Sequence, residues 1–266
     1  MRGKQTFAVA AVLMAAFMTA SLAAAQTAQP KWYVLHQEIA RPSMLKQYED
    51  TTKEFVSLVR QHHDASPIFN YVAVAGDDFV YTYVAPISSF SDLEKIYGGF
   101  DALAKAVGEA KWGDLMMRGG AATEFNRESI VMEDPSMEYA PANPRLKPDE
   151  EKYLHVDLYY VQPGHEADAD AVARDFAALF RKKNLPAGYR LFKVVMGSEM
   201  PLIIVTTPAK DAADYAATDA AMRETLGADG QALFQRAFSM TRRFESHNGW
   251  IRPDLSLEPI KPMQGK

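Results

Sequence analysis

Matching residues recur along this chain at a constant distance of 121 positions. Three residues of one segment have the same residue type in the other, without a gap: Pro42 and Pro163, Phe55 and Phe176, Leu58 and Leu179. An acidic residue precedes each of the two phenylalanines. A repeat of this kind indicates two copies of one supersecondary unit that pack against each other.

The first 25 residues have the pattern of a secretory signal peptide. Arg2 and Lys4 give a basic start, an apolar stretch follows, and three alanines end the stretch at Ala25. An uncleaved membrane anchor is the alternative, but the stretch is diluted by Ala, Thr and Ser and ends without a charged stop. We therefore expect cleavage before Gln26, no stable membrane anchor in the mature chain, and a periplasmic or secreted protein.

Charge and cysteine content exclude several classes of function. The chain has 29 Lys and Arg against 34 Asp and Glu, and no basic run is longer than three residues. Nucleic-acid binders need a clustered basic surface, so we expect no nucleic-acid partner. The absence of cysteine excludes disulfides, thiol catalysis and metal sites built on thiolates.

The hydrophobic pattern predicts the same order of elements in both copies: strand, helix, strand, strand, helix, strand. In the first copy we expect strands at 32–40, 68–75, 79–85 and 128–132, and a helix at 42–62. A second helix follows the cap residues at 88–92, is broken at Gly98 and Gly99, and resumes over 100–107. In the second copy we expect strands at 153–161, 189–196, 202–207 and 243–247, and helices at 166–183 and 211–240.

This order is the ferredoxin-like split βαβ arrangement, in which helices cover one face of an antiparallel sheet. With its matched Pro42 and Pro163, and Phe55 and Phe176, the chain resembles the dimeric α+β-barrel superfamily, which includes NIPSNAP-like and antibiotic-biosynthesis-monooxygenase-like proteins. The resemblance implies an α+β fold in which tandem ferredoxin-like repeats form an intrachain pseudo-dimeric α+β barrel. It also implies cofactor-independent oxygenase or isomerase chemistry, although no motif here matches that chemistry residue by residue.

The predicted elements divide the chain into five segments. They are the signal at 1–25, a first ferredoxin-like repeat at 26–140, a Pro-rich linker at 141–152, a second repeat at 153–252 and a tail at 253–266. Prolines make a helical linker unfavourable, and we expect the tail to follow a surface. The free edges of the sheets leave both a monomer and a homodimer open.

Side-chain alternation sorts the first strand of each copy into two faces. In the second copy one face is apolar and the other carries His155, Asp157 and Tyr159; the offset of 121 places His36 and Glu38 on the corresponding face of the first copy. We expect the apolar faces to meet the helices and the polar faces to point between the two sheets. These five residues would then share one interior.

A histidine two residues from a carboxylate suits proton transfer, because the carboxylate orients the imidazole and raises its basicity. The same groups suit a divalent metal, and a solvated polar patch at a barrel mouth is the third interpretation. The pattern is common by chance, and we assign no residue to a metal. Further candidates for the lining of the interior alternate on other strands: Tyr81 and Tyr83, and Glu245 and His247.

Three functional hypotheses remain open after this reasoning. The first is a small-molecule-binding protein whose cavity lies between the two repeats. The second is a cofactor-independent monooxygenase or isomerase with His36 or His155 as the general base. The third is haem binding, for which the sequence identifies no axial ligand. A purely structural or interaction role is also open, and the cofactor is left unassigned.

Overall fold

A computed structural model describes residues 29–63, 70–197 and 199–257, and its strands form one closed antiparallel barrel. The first half contributes β1 (Lys31–Ala40), β2 (Val72–Gly76), β3 (Val80–Ile87) and β4 (Thr123–Glu133). The second half contributes β5 (Tyr153–Val161), β6 (Arg190–Met196), β7 (Leu202–Ala209) and β8 (Thr241–Ile251). The predicted signal lies outside the described residues.

Five helices lie on the outside of the described barrel. They are α1 (Leu45–Gln61), α2 (Ser91–Val107), α3 (Glu109–Ala122), α4 (Glu166–Lys183) and α5 (Ala212–Ser239). Short 3-10 turns occupy Pro42–Met44 and Pro148–Glu150. In the part of the chain that the structure covers, no helix combines the length and apolar character needed to cross a bilayer.

The strand order around the barrel is β1-β3-β2-β8-β5-β7-β6-β4. Each half keeps its four strands together, and the halves meet where β2 pairs with β8 and where β4 pairs with β6. These two seams remove the free edges that each half would otherwise expose. The predicted α+β class, with tandem ferredoxin-like repeats closed into an intrachain barrel, is confirmed.

The donors of the backbone hydrogen bonds at the end of the first strand of each half keep the offset of 121, although their acceptors do not. In the first half, Ala40 N–H donates to Phe79 O at 3.0 Å and Arg41 N–H donates to Ala122 O at 2.8 Å. In the second half, Val161 N–H donates to Pro201 O at 3.0 Å and Gln162 N–H donates to Met240 O at 2.8 Å. The two halves therefore leave their first strands and enter their helices in the same way.

The predicted orientation of the strand faces is wrong. Tyr33 and Leu35 of β1 pack with Val131, Phe192 and Ile204 inside the barrel, so the apolar face points away from the helices. The strands close into a barrel, and its interior takes the face of β1 that carries Tyr33 and Leu35. The faces with the polar residues meet the helices instead. Tyr48 of α1 donates a hydrogen bond to Glu38, whereas the hydrogen-bond partners of His36 and His155 lie on strands.

The main errors in element boundaries fall around α2 and α3. Helix α2 continues through Gly98 and Gly99, where a break was predicted; a glycine costs a helix only about 1 kcal/mol, and Leu103 of α2 is fully buried. Helix α3 was not predicted, because its three glycines give it low helix propensity. It forms because it buries Leu115 and Ala122. The proposed segment boundaries stay a prediction.

The described part of the C-terminal tail packs into the first half of the barrel. Leu255 is fully buried, and the Ser256 hydroxyl accepts a hydrogen bond from the Ala73 backbone N–H at 2.9 Å. Arg252, just before it, forms an ion pair with Glu49 of α1. The tail was expected to lie along a surface, and it supplies a core residue instead.

Candidate functional site

Each half of the barrel has a cavity between its strands and its helices. The C-terminal cavity has a volume of about 950 Å³ and lies under α4 and α5. The N-terminal cavity has a volume of about 930 Å³ and lies under α1, α2 and α3. The expectation of one shared interior is therefore wrong: His36 and Glu38 line the N-terminal cavity, and His155, Asp157 and Tyr159 line the C-terminal one.

The walls of the C-terminal cavity are mostly apolar and aromatic. Helices and strands both contribute to them, and the larger side chains are Tyr159, Phe176, Met222, Phe234, Phe238 and Phe244. Several of these rings contact one another, as Phe176 and Phe234 do at a centroid distance of 4.9 Å. Their edge-to-face packing gives the wall a defined shape.

One corner of the C-terminal cavity is polar and centres on His155. The His155 Nε2 atom lies 3.1 Å from the Asp157 carboxylate and 3.0 Å from the Ser246 hydroxyl. Ser246 donates its own proton to Asp157 at 2.8 Å. One face of the imidazole ring stacks on the Tyr215 ring of α5, with the ring centroids 4.0 Å apart. Residues from β5, β8 and α5 thus fix this ring in place.

The other nitrogen of His155 identifies which tautomer the ring adopts. Its Nδ1 atom lies 3.1 Å from the Asn248 side-chain oxygen. The orientation of that amide is set by its nitrogen, which donates to Asp77 at 2.8 Å. The amide oxygen can only accept, so Nδ1 carries the proton. In the neutral ring, Nε2 is then the basic atom.

The surroundings of His155 favour its protonated form. Burial by itself lowers the pKa of the imidazole, but the hydrogen bonds to Asp157 and Asn248 and the charge of Asp157 outweigh burial. The pKa of His155 therefore lies above its ordinary value. This histidine is suited to accept a proton and to hold it as an imidazolium.

In the N-terminal cavity, His36 lies between two carboxylates. Its Nε2 is 3.2 Å from Glu38 and its Nδ1 is 3.1 Å from Glu128. Glu38 also accepts a hydrogen bond from the buried Tyr48 hydroxyl at 2.6 Å. Burial opposes both ionised forms, yet the mutual hydrogen bonds raise the pKa of His36 and lower the pKa of Glu38. These contacts favour an imidazolium between the two carboxylates.

The remaining predicted site residues divide between several locations. Tyr83 lines the N-terminal cavity, whereas Tyr81 lies on the same face but donates its hydroxyl to Glu49. Glu245 and His247 alternate with the residues of β8 that line the C-terminal cavity, so they point to the opposite face. His247 lies 3.3 Å from Asp78 in a largely exposed cluster, to which we assign no metal.

Sequence reasoning missed several residues that build the two sites. They are Tyr48, Glu128, Tyr215, Ser246 and Asn248. Ser246 and Asn248 alternate on one strand, and the antiparallel register places them opposite Asp157 and His155. That register depends on which strands pair, and a single strand pattern does not reveal it.

Comparisons with known proteins support the fold. No protein family and no curated protein matches this chain in sequence. The chain is similar in structure to an anthrone oxidase-like protein, with a TM-score of 0.58, 15% identity, and 85% of this chain and 93% of that one covered. Chlorite dismutase from Candidatus Nitrospira defluvii in complex with imidazole gives a TM-score of 0.50, 11% identity and coverage of 84% and 92%. These neighbours are dimeric α+β barrel proteins, and the likeness is one of fold.

Proposed function

We propose that the protein binds an aromatic small molecule with an acidic hydroxyl group in the C-terminal cavity. The observation that carries this proposal is the contrast between the aromatic walls and the one polar corner at His155. A volume of about 950 Å³ suits a drug-sized ligand, since such pockets typically measure about 300–1,000 Å³. A flat ring system packs against the walls, and its hydroxyl group contacts the imidazole.

His155 accepts the proton of that hydroxyl group at Nε2, an atom that the ligand shares with the Asp157 and Ser246 oxygens. The Nδ1 atom keeps its own proton because the Asn248 oxygen accepts it. The imidazolium that forms is stabilised by the carboxylate of Asp157, which lies 3.1 Å from Nε2. The bound ligand is then an anion held beside a cation, a stronger interaction than a neutral hydrogen bond.

A cofactor-independent oxidation is the second candidate function, and proton removal by His155 would be its first step. An aromatic hydroxyl that has lost its proton is electron-rich, and dioxygen is the oxidant that such an anion reduces. The fold likeness to an anthrone oxidase-like protein suggests anthrone as a test substrate. At 15% identity that likeness concerns the fold alone.

Among the described residues, the two cavity histidines fit haem binding poorly, because iron would displace the side chains that their ring nitrogens contact. An axial histidine needs a ring nitrogen that is free to bind iron. Both nitrogens of His155 contact side-chain oxygens within 3.1 Å, and both nitrogens of His36 contact carboxylates. The absorbance spectrum of the protein expressed with excess haem tests this alternative. A Soret band that persists in the H155Q variant would mean that a residue other than His155 binds the iron.

The binding proposal is tested with two probes of the same shape. 1-Naphthol has an acidic hydroxyl group and 1-methoxynaphthalene does not. We expect 1-naphthol to bind roughly tenfold more tightly in a calorimetric or fluorescence titration, because one charge-assisted hydrogen bond contributes about 1.5 kcal/mol. The H155Q variant should lose this difference.

His36→Gln is the matched control, because it changes the equivalent kind of residue in the other cavity. It should leave the preference for 1-naphthol unchanged. Equal binding of both probes to the unmodified protein would contradict the proposal. Oxygen uptake with anthrone then separates binding from catalysis: uptake that H155Q abolishes supports the oxidation, and no uptake limits the protein to binding.

We also propose a location outside the cytoplasm, supported by the signal-like pattern of the first 25 residues. Cell fractionation of the full chain and the N-terminal sequence of the purified protein test it. A mature chain that begins at Gln26 would agree with the proposal, and an intact Met1 in the cytoplasmic fraction would contradict it.

A further inference from the structure

The two cavities have nearly the same volume but different charge. Among the described residues, the acidic groups that line the N-terminal cavity are Glu38, Asp101, Glu124 and Glu128, and no Lys or Arg lines it. The C-terminal cavity has Asp157 and Asp219 together with Arg223, which forms an ion pair with Asp219 at 2.6 Å. The N-terminal cavity is thus the more negative of the two.

His36 neutralises only part of this negative charge. It is the single basic side chain among the described residues that line the N-terminal cavity, and it lies between Glu38 and Glu128. Even when the imidazole is charged, the negative groups outnumber it. A carboxylate has about four acceptor positions, so Glu38 and Glu128 can accept further N–H donors from a ligand.

The same cavity has aromatic walls. Phe55 and Phe100 stack with a centroid distance of 6.0 Å, and Tyr83 lies in the interior. At the entrance, Tyr97 and Phe125 are about half exposed, at 55% and 51%. Aromatic faces together with carboxylates are the groups that attract organic cations, through the negative faces of the rings and through direct charge pairing.

We propose that the N-terminal cavity is a second binding site, separate from the one under α4 and α5, and that it takes an organic cation. The ligand is a primary amine or a quaternary ammonium attached to an apolar or aromatic body. Its charged group lies near Glu38 and Glu128, and its body lies against the aromatic walls. This inference is independent of the function proposed for the C-terminal cavity.

A bare metal ion fits this site less well than an organic cation. The ligand atoms of His36, Glu38 and Glu128 do not form a group of three within 4.8 Å of one another, a condition that only Asp77, Asp78 and His247 meet among the described residues. A metal needs its ligands converging on one point. An ammonium group on a larger body needs only a negative region.

The sequence differences between the two halves agree with the binding of a different ligand in each cavity. At the offset of 121, Tyr48 of α1 corresponds to Ala169 of α4, and Val34 corresponds to His155. Tyr48 donates a hydrogen bond to Glu38 in the first half, whereas the alanine leaves apolar space in the second. The polar side chains of the two cavities therefore come from different positions of the repeat.

The test uses probes that share one body and differ in charge: 2-phenylethylammonium, 2-phenylethanol and phenylacetate, with the matching naphthyl series for a larger body. We expect the ammonium of at least one series to bind most tightly and the carboxylate least in calorimetric titrations. High salt should weaken ammonium binding because the entrance carboxylates are exposed to solvent.

Glu128→Gln, near the entrance, should weaken ammonium binding roughly three- to fivefold, and the E124Q/E128Q double variant more. Asp219→Asn removes one charge from the other cavity and should have no effect. The proposal is overturned if no ammonium binds better than its neutral and anionic partners. It is also overturned if D219N weakens ammonium binding as much as E128Q, since the site would then be the other cavity.

Discussion

The imidazole of His155 lies face to face with the phenol ring of Tyr215, with the centroids 4.0 Å apart and the planes inclined by 18°. One ring belongs to β5 and the other to α5, so this contact joins the sheet to the helix that covers the C-terminal cavity. Replacement of Tyr215 by Ala should remove the stacking partner from one face of the imidazole, while its hydrogen bonds remain, and weaken 1-naphthol binding roughly tenfold.

Tyr215→Phe is the matched variant for this contact, because it keeps the ring and removes only the hydroxyl group. We expect its affinity for 1-naphthol to stay within about twofold of the unmodified protein. Equal losses in both variants would show that the Tyr215 hydroxyl, and not the stacking, is what matters.

The pKa of His155 predicts a pH dependence for proton acceptance. The hydrogen bonds to Asp157 and Asn248 outweigh burial and raise this pKa above its ordinary value, so the neutral base forms only at a correspondingly higher pH. Proton transfer from a bound hydroxyl should therefore increase as pH rises through the raised pKa. NMR titration of the His155 ring protons measures the pKa directly. Asp157→Asn should shift it downward, and an unchanged titration in that variant would refute the role of Asp157.

The carboxyl group of Glu138 makes the free energy of unfolding depend on pH. Burial, assisted by the charge of Glu133, raises its pKa to about 7 from an ordinary value of 4.5. Between these two values the folded state holds a proton that the unfolded state has released, so the free energy of unfolding falls as pH rises from about 4.5 to 7. Glu138→Gln should remove this loss and stabilise the protein at pH 8 by about 1–2 kcal/mol.

Urea denaturation at pH 5 and pH 8 measures the effect of Glu138→Gln. The variant should gain stability over the unmodified protein only at the higher pH. Glu94→Gln, at an exposed position of α2, serves as the control. A gain of the same size at both pH values would point to a cause other than titration.

Arg190 forms an ion pair with the buried Glu133 on the barrel-interior face that also carries Tyr33. Arg190 Nε donates to the Glu133 carboxylate at 2.6 Å, Tyr33 donates to the other carboxylate oxygen at 2.7 Å, and Glu133 is only 1% exposed. Arg190→Met should destabilise the fold by about 3 kcal/mol, because a buried charge loses its partner. The R190M/E133Q double variant should recover much of this loss in urea denaturation. A double variant less stable than R190M would contradict the account.

The C-terminal tail makes a measurable contribution to stability. Leu255 is fully buried against the first half of the barrel. Leu255→Ala should lower the free energy of unfolding by about 2–4 kcal/mol, as expected for a cavity in a core. Met117→Ala, at a side chain that is 72% exposed, should change it by no more than about 0.5 kcal/mol. Similar melting temperatures for the two variants would show that the tail is dispensable.

The two helix errors show how far pattern reasoning extends along this chain. The order of the eight strands and of the helices other than α3 was predictable, because hydrophobic periodicity and turn residues are local properties. The glycines of α2 and α3 led to the two wrong helix predictions, because local helix propensity does not include the packing of Leu103 and Leu115 in the folded chain. Tertiary packing decided both cases.

The sequence by itself determined that the chain is a duplication and that His36, Glu38, His155 and Asp157 lie on corresponding strand faces. The family resemblance implied that the two halves close into one barrel. Only the tertiary structure decided where those faces point. Alternation along a strand tells which side chains share a face, but both faces of a barrel strand under helices are buried. The pairing of all eight described strands places the apolar faces inside. The same closure separates the two histidines into two cavities, because each polar face is covered by the helices of its own half.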